Sequence, residues 1–506
     1  VRGDAVARRL GEQPRAEVRA VPFHAGREQD AAEGAVQLVE RHLHPRRYTL
    51  RPVIMQIDRH RDPTDLLPRI GRLFDVSAGK ILSIEHTWRP EHGAPVFTVG
   101  GHYQARGWTE WTQGFQFGAA LLQFDATGAE EFLDLGRART LDRMSSHLTH
   151  MGVHDHGFNN VSTYGNLWRL AKEGRIDASD WETRFYELAL KVSGAVQARR
   201  WTRLPAGGFI HSFNGAHSLF VDTMRSLRAL ALGHVLGQRL MEEQDVSVSL
   251  LDRLLDHAHA TAQYNVYFGR DRDAYDVRGR TAHESLFNVA SGTYRGPSSQ
   301  QGYSPFTTWT RGLAWAMLGF AEQLEFLATL QGEAPDTSML LEAAIATCDH
   351  YIDDVTAADG IPYWDAGAPG LDEMPDWRDR AADPFNEHEP VDSSAAAIAA
   401  QGLLRLARVL ADHGRQPESD LYFQAGLRVV ETLFEETGPY LSIDPKHQGV
   451  LLHSVYHWPN KWDHVPEGSS IPRGESSQWG DYHALEVALY VKRLAEGKPY
   501  LAFYGT

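Results

Sequence analysis

The chain has 506 residues, 42% apolar and 23% charged, an ordinary balance for a globular protein and far from the disordered or fibrous classes. Its formal net charge of −16 argues against nucleic acid, whose binding needs clustered Lys and Arg to displace counterions. The same charge requires any anionic ligand to be small and met by a local cation. No apolar run approaches the ~18–20 residues that cross a bilayer, so no membrane is expected as a partner.

The opening VRGDAVARRLGEQPRAEVRA is charged and Ala-rich and lacks the apolar core of a signal peptide. Cys348 is the only cysteine, which precludes an intramolecular disulfide. Both fit a reducing cytoplasm, the expected location. Residues 1–104 are expected to form an N-terminal extension of mixed helical and extended structure. It contains a weakly amphipathic helical stretch, EGAVQLVERHL. From about Arg47 to Trp111, RYTLRPVIMQI and APVFTVGGHY combine β-branched and aromatic residues with Gly and Pro, and read as short strands or extended loop.

Residues 105–506 are expected to form a second domain in which helical periodicity dominates. Apolar residues recur at i, i+3, i+4 and i+7 over 118–148, 161–174, 181–200, 220–240, 248–266, 309–330, 338–355, 393–414, 420–436 and 480–497. Such a series with almost no strand signal predicts an all-α fold of helices packed on helices. No strict short repeat occurs, which disfavours a solenoid. A looser unit recurs instead: amphipathic helix, long aromatic-rich loop, amphipathic helix. That is the pattern of a barrel of helical hairpins whose site is built from loops at one end, and loops this long in a compact domain usually carry function.

Four stretches can carry chemistry. In QGYSPFTTWTRGLAW, Gln301, Trp309, Arg311 and Trp315 lie in a loop entering a helix. Arg311 sits near the helix start, where the macrodipole disfavours a cation, so it needs a carboxylate from protein or ligand. Trp309 and Trp315 offer flat faces for a sugar ring, or are core. In FNGAHSLFVDTMRSLRAL, Asp222 starts an apolar helix. Residue type and position favour a helix cap; the functional alternative is a carboxylic acid whose pKa is lifted by apolar neighbours. In SSHLTHMGVHDHGFNN, His147, His150 and His154 follow helical spacing, but neither an HExxH motif nor a Cys pair is present, so hydrogen bonding around Asp155 is favoured over a metal. In PVDSSAAAIAAQGLLRLA, Asp392 and Ser393 are good N-cap residues and the Ala run permits close helix packing, a mainly structural reading. No phosphate loop, dinucleotide fingerprint or G-x-S-x-G elbow is present, and no cofactor is implied.

Taken in order, these motifs resemble glycoside hydrolase family 88, the unsaturated glucuronyl hydrolases. The elements are HDHGF (His154 to Phe158), VDTM (Val221 to Met224), QGYSPFTTWTRGLAW (Gln301 to Trp315), YWDA (Tyr363 to Ala366), DSSAAAI (Asp392 to Ile398) and GDYHALE (Gly480 to Glu486), with WTQGFQFG from Trp111. The resemblance covers about residue 105 to the end. Leu313, Pro305, Phe306 and Gln116 depart from the family's usual residues. The resemblance implies an (α/α)6 barrel over 105–506 and a hydrolase that removes a 4,5-unsaturated uronic acid from the non-reducing end of lyase products. It does so by hydrating the vinyl ether double bond. It further implies Asp222 as acid/base and Asp155 as the second essential carboxylate. Trp111, His154, Trp201, His283, Gln301, Trp309, Arg311 and Trp315 are implied as substrate-binding, with no metal. The partner implied is a small anionic oligosaccharide, met by a monomer or homodimer. The competing readings are the related unsaturated rhamnogalacturonyl hydrolases, a conventional inverting glycosidase using Asp155 with Asp222, and a non-catalytic sugar-binding protein.

Overall fold

The structure, a computed structural model, describes residues 55–107, 110–332 and 335–504. The expected helix EGAVQLVERHL and most of RYTLRPVIMQI lie outside them. Twelve α-helices of seven residues or more carry the architecture of the described residues. They are α1 (Leu67–Thr87), α2 (Gln113–Thr127), α3 (Glu130–Arg143), α4 (Asn166–Lys172), α5 (Asp180–Arg199), α6 (Arg228–Val235), α7 (Leu250–Tyr264), α8 (Thr310–Ala328), α9 (Ser338–His350), α10 (Ser393–Asp412), α11 (Gln416–Leu433) and α12 (Gln478–Ala495). The chain is thus predominantly helical, as its periodicity predicts.

Consecutive helices pack together: α2 on α3, α5 on α6, α8 on α9, α10 on α11. A second series of contacts links inner segments. α2 packs on the turn Val161–Gly165 that leads into α4, the short helix His156–Asn159 packs on another, Thr223–Ser226, and that one packs on α8. α8 then packs on α10, α10 on α12, and α12 on α2, so the order returns to its start. The inner helices are largely buried, their few charged residues included. α8 is buried from Thr310 to Leu327, which a core helix must be and an amphipathic surface helix cannot be. α10 is long and apolar enough to cross a membrane by length and composition, yet 89% of that stretch is buried inside the molecule. Its place between α8, α11 and α12 marks it as a core helix.

Small residues set how closely the inner segments approach. A Cβ at Gly319 of α8 would stand 2.6 Å from the Met224 backbone, and one at Gly402 of α10 would stand 2.8 Å from the Leu318 nitrogen. Outer helices are stopped conventionally. Ser179 and Glu182 close a capping box on α5, and Ser249 caps α7. The Asp392 carboxylate caps α10 through the N–H groups of Ser394 and Ala395, as its residue type predicts.

Three expectations are corrected. Residues 55–104 are not a separate extension of strands and loop: the compact unit of the chain runs from Pro52 to Thr506. Within it, Leu67–Thr87 is a helix with Ile70, Leu73, Phe74, Ile81 and Ile84 buried along one face. Its periodicity is real, but it is framed by β-rich sequence. APVFTVGGHY does form strands, β1 (Phe97–Val99) and β2 (His102–Gln104), turned by Gly100 and Gly101 at φ +59° and +80°. The expected helix 118–148 breaks at Gly128 (φ +73°), and 220–240 yields only Thr223–Ser226 and α6. Finally, strands are more numerous than the sequence suggests. β3 (Trp201–Arg203) pairs with β4 (Gly208–Ile210), and β6 (Arg239–Met241) with β7 (Ser247–Ser249). An antiparallel sheet joins β5 (Ser218–Phe220), β8 (Glu284–Asn288) and β9 (Thr293–Ser298) in the order β5-β8-β9. Each is only three to six residues long and embedded in loop, too short for alternation to register.

Candidate active site

The segments that precede the inner helices converge on one cavity of about 940 Å³. Trp111 reaches it from the loop before α2, His154, Asp155 and Phe158 from the α3–α4 connection, and Asp222 from the end of β5. Gln301, Trp309, Arg311 and Trp315 enter from the long connection into α8, and Tyr456, His457, Lys461 and Trp462 from that into α12. The sheet β5-β8-β9 fixes two of these approaches. Asp222 follows β5 by two residues, and Gln301 follows β9 by three.

Three ionisable groups meet at the inner end. His154, Asp155 and Asp222 are 1%, 5% and 8% exposed. His154 Nε2 lies 3.3 Å from Asp222 Oδ1 and 3.7 Å from Asp155 Oδ1. Burial alone would depress the imidazole, but the two carboxylates outweigh it, and His154 is raised above its ordinary value. Asp155 is pushed up to about 6, chiefly by burial, with the neighbouring Asp222 charge adding to it. Asp222 goes the other way. Burial pushes it up, but the hydrogen bond and charge of His154 prevail and it sits below the ordinary aspartate value. The lift expected for Asp222 from its apolar neighbours therefore falls on Asp155 instead. The cap reading of Asp222 is also corrected: its side chain makes no capping hydrogen bond to the short helix Thr223–Ser226.

Aromatic side chains form the walls. Trp315 packs on Phe158 with ring centroids 4.8 Å apart and lies against His483 at 4.9 Å, and Trp111 stacks on Trp479 at 5.1 Å. Gln301 accepts at Oε1 from Arg311 Nη2 (2.9 Å). Arg311 is heavily engaged within the protein. Nη1 meets Asp392 Oδ2 at 2.8 Å and the Val455 carbonyl, and Nη2 also donates to the Tyr456 carbonyl at 2.7 Å. Of the two partners open to Arg311 from sequence, the structure supplies the protein carboxylate. A role as primary clamp for a ligand carboxylate loses its free donors, although the guanidinium still lines the cavity.

Of the ten residues singled out from sequence, eight line this cavity. His283 stands just behind it: its ring packs on Phe220 (4.4 Å) and Trp309 (4.7 Å), and its Nδ1 accepts from the Gln300 N–H at 3.0 Å. Direct substrate contact is thus replaced by support of the Gln300–Gln301 turn. Trp201 is not at the cavity. It lies in β3 under the Arg253 guanidinium, 3.9 Å from its ring centre. Sequence reasoning passed over Phe213, Asn214, Gln300, Tyr456, His457, Asn460, Lys461 and Trp462, all of which line the cavity. The dense aromatic and basic run YHWPNKW from Tyr456 was a visible signal for five of these eight. GDYHALE proves structural. Asp481 accepts the Val450 and Leu451 N–H groups, and Glu486 pairs with Arg225 at 2.6 Å. Leu313 and Phe306, two of the departures, point elsewhere: Leu313 is fully buried and Phe306 stacks on Tyr275.

No family model matches the chain. Individual proteins do. It is 28% identical over 397 residues to the unsaturated glucuronyl hydrolase of Bacillus sp. (strain GL1), covering 77% of this chain and 88% of that one. It is 25% identical over 390 residues to the unsaturated chondroitin disaccharide hydrolase of Streptococcus pyogenes serotype M1, covering 75% and 81%. The crystal structure of the Bacillus sp. GL1 enzyme, described as responsible for degradation of glycosaminoglycan, superposes with a TM-score of 0.64 at 23% identity, over 86% of this chain and 98% of that one. The family resemblance read from the ordered motifs is borne out: the chain is similar to unsaturated glucuronyl hydrolases in sequence, and in fold to a solved one.

Proposed function

We propose that this protein is a glycoside hydrolase of the unsaturated glucuronyl type, which removes a 4,5-unsaturated uronic acid from the non-reducing end of small lyase-generated oligosaccharides. The observation that carries it is the buried Asp155–His154–Asp222 cluster at the inner end of an aromatic-walled cavity. The motifs that resemble the family supply all three groups. We read the closed order of inner contacts as the (α/α)6 barrel that the resemblance implies.

The chemistry asks little more of the chain than an acid, a water and a place for the uronate. A proton goes to carbon 4 of the vinyl ether and water adds at carbon 5, returning a proton to the carboxylate. The hemiketal then collapses, releasing the next sugar and a 4-deoxy-5-keto uronate. Because one carboxyl group can give the first proton and take the second, the usual glycosidase pair is unnecessary. Asp222 is that group in our reading, with His154 and Asp155 controlling its protonation. A bound uronate adds a negative charge and excludes water beside Asp222, and both effects raise an aspartate that is otherwise held low. A second assignment, Asp155 as proton donor and Asp222 as base, is favoured by the value near 6 at Asp155. The Arg106 and Lys461 side chains of the lining offset the chain's acidity locally. The single cysteine supports a cytoplasmic location.

Ultraviolet absorbance of the conjugated double bond tests the reading. Unsaturated disaccharides from chondroitin, heparin, hyaluronan, ulvan and pectin are supplied in turn, beside a saturated p-nitrophenyl uronide. Bleaching of one or more disaccharides, with the saturated glycoside untouched, is expected, and the pattern names the uronate. Cleavage of the saturated glycoside would replace hydration by a conventional inverting mechanism, and binding without turnover would leave a sugar-binding protein.

A further inference from the structure

Behind the wall that carries Asp155, a buried arginine joins two stretches of the cavity rim. Arg200 follows α5 and is 9% exposed. Its Nη1 donates to the Met151 carbonyl, its Nη2 to the Ser212 carbonyl at 2.7 Å, and its Nε to the His211 carbonyl at 3.1 Å. Met151 belongs to the segment that ends in His154 and Asp155. Ser212 immediately precedes Phe213 and Asn214, which also line the cavity, Phe213 stacked on the His154 ring at 6.0 Å. One turn earlier on α5, Gln197 donates to the His154 carbonyl at 2.9 Å, so the end of this helix supports the catalytic segment at two points.

Charge points to the same residue. Asp155 and Asp222 are two buried carboxylates beside a single imidazole, a setting in which an unbalanced charge is costly. The groups facing Asp155 are His154, Asp222, Arg200 and Glu110; those facing Arg200 are Asp155 and the histidines His154, His156 and His211. His211 is held down to about 4 by burial and by Arg200 itself, so it is neutral and supplies no alternative cation. Arg311 is engaged with Asp392.

We propose that Arg200 is a positioning residue for the reaction: its guanidinium fastens the segment bearing His154 and Asp155 to the wall bearing Phe213 and Asn214, and supplies the cation that balances the carboxylate pair. The guanidinium geometry matters here. Three backbone carbonyls in two directions match a planar fork, whereas an ammonium on a flexible stem matches the charge alone. The inference rests on the hydrolase reading above.

The test separates the two duties. In Arg200→Met both are lost: kcat/KM for the unsaturated disaccharide falls about 10–100-fold through misplacement of the acid. The Asp155 ionisation in its pH profile moves upward for loss of a neighbouring cation. In Arg200→Lys the charge stays, so the ionisation keeps its parental position while kcat/KM still falls. A merely structural arginine would lower the melting temperature in both variants and move neither the ionisation nor kcat in the folded fraction; that outcome overturns the proposal. If Arg200→Met does not fold, Arg200→Lys alone decides, and parental kcat/KM overturns the fastening role. Infrared titration of the carboxyl groups in the substrate-free protein, with Asp155→Asn identifying the signal, reads the charge effect without turnover. It distinguishes failure of this proposal (no shift in the variant) from failure of the hydrolase reading (a shift, but an inactive parent).

Discussion

Replacing Arg311 by Met decides whether this residue chiefly holds the ligand or the protein. Its guanidinium pairs with Asp392 at 2.8 Å, donates to the Val455 and Tyr456 carbonyls and to Gln301, and lies 4.7 and 5.1 Å from the ring centres of Trp309 and Trp479. Met fills similar volume without charge. It leaves Asp392, fully buried, without its counter-ion, a loss of about 3–5 kcal/mol when one partner of a buried pair is removed. Asp392 retains its N–H bonds from Ser394 and Ala395, and the Val455 N–H lies at 3.4 Å, which moderates the penalty. Two carbonyls left without donors add about 1 kcal/mol or more each. A loss of roughly 4–6 kcal/mol follows, and at about 1 °C per kcal/mol for a unit of this size it lowers Tm by about 4–6 °C. The assay is thermal unfolding followed by tryptophan fluorescence and circular dichroism, run beside KM on the bleaching reaction. A variant that melts within about 2 °C of the parent but has a greatly raised KM would refute this reasoning and restore Arg311 as a ligand clamp.

Asp222→Asn keeps the shape and the contact with His154 but removes the proton exchange, and kcat drops by about 10²–10⁴-fold in the bleaching assay with little change in fold; full activity would remove Asp222 from the mechanism. Asp155→Asn makes stability less sensitive to pH. With a folded value near 6 and an ordinary value of 3.8, the stabilisation from the protonated carboxyl is complete below the lower value and lost as pH rises through the higher. The variant escapes that loss, so its stability relative to the parent improves by roughly 2–3 kcal/mol between pH 3 and pH 8, and a pH-independent difference in Tm contradicts it. Gly319→Ala drives a methyl into the Met224 backbone two residues from Asp222; at least about 1–3 kcal/mol of stability is lost along with kcat, and crystallography should show the Thr223–Ser226 turn displaced.

Helices were legible where periodicity was strong and unbroken: α5, α7, α8 and α10 lie within a few residues of their expected spans. The stretch 220–240 was not, because Val221, Met224, Leu227 and Leu230 are apolar on all sides of a broken segment, and burial in the middle of the molecule erases the contrast that marks a helix face. α1 was lost to its β-rich flanks. At the site, residue types identified the cavity, but not what each side chain is bonded to. Arg311 and Asp392 were both visible, while their pairing joins residues 81 positions apart. Asp222 and Asp155 were both visible too, yet the imidazole between them inverts which one is the weaker acid, and that depends on distances of 3.3 and 3.7 Å that no local pattern carries. Trp201 was implied as substrate-binding by the family resemblance alone; the cation above it, Arg253, comes from α7.

The hairpin β1–β2, which follows α1, has a mechanical consequence. Thr98 donates its N–H to the Ser476 carbonyl at 2.9 Å, Gln478 donates to the Val96 carbonyl at 2.9 Å, and the Thr98 hydroxyl bonds Glu475. These bonds tie the early hairpin to the residues that open α12, nearly 380 positions later, as a zip joins the two edges of a sleeve. Pulling or digesting from either end therefore meets this seam before it reaches the cavity. Loosening of the seam, rather than fraying of a terminal helix, should be the event that first admits solvent to the tryptophan walls.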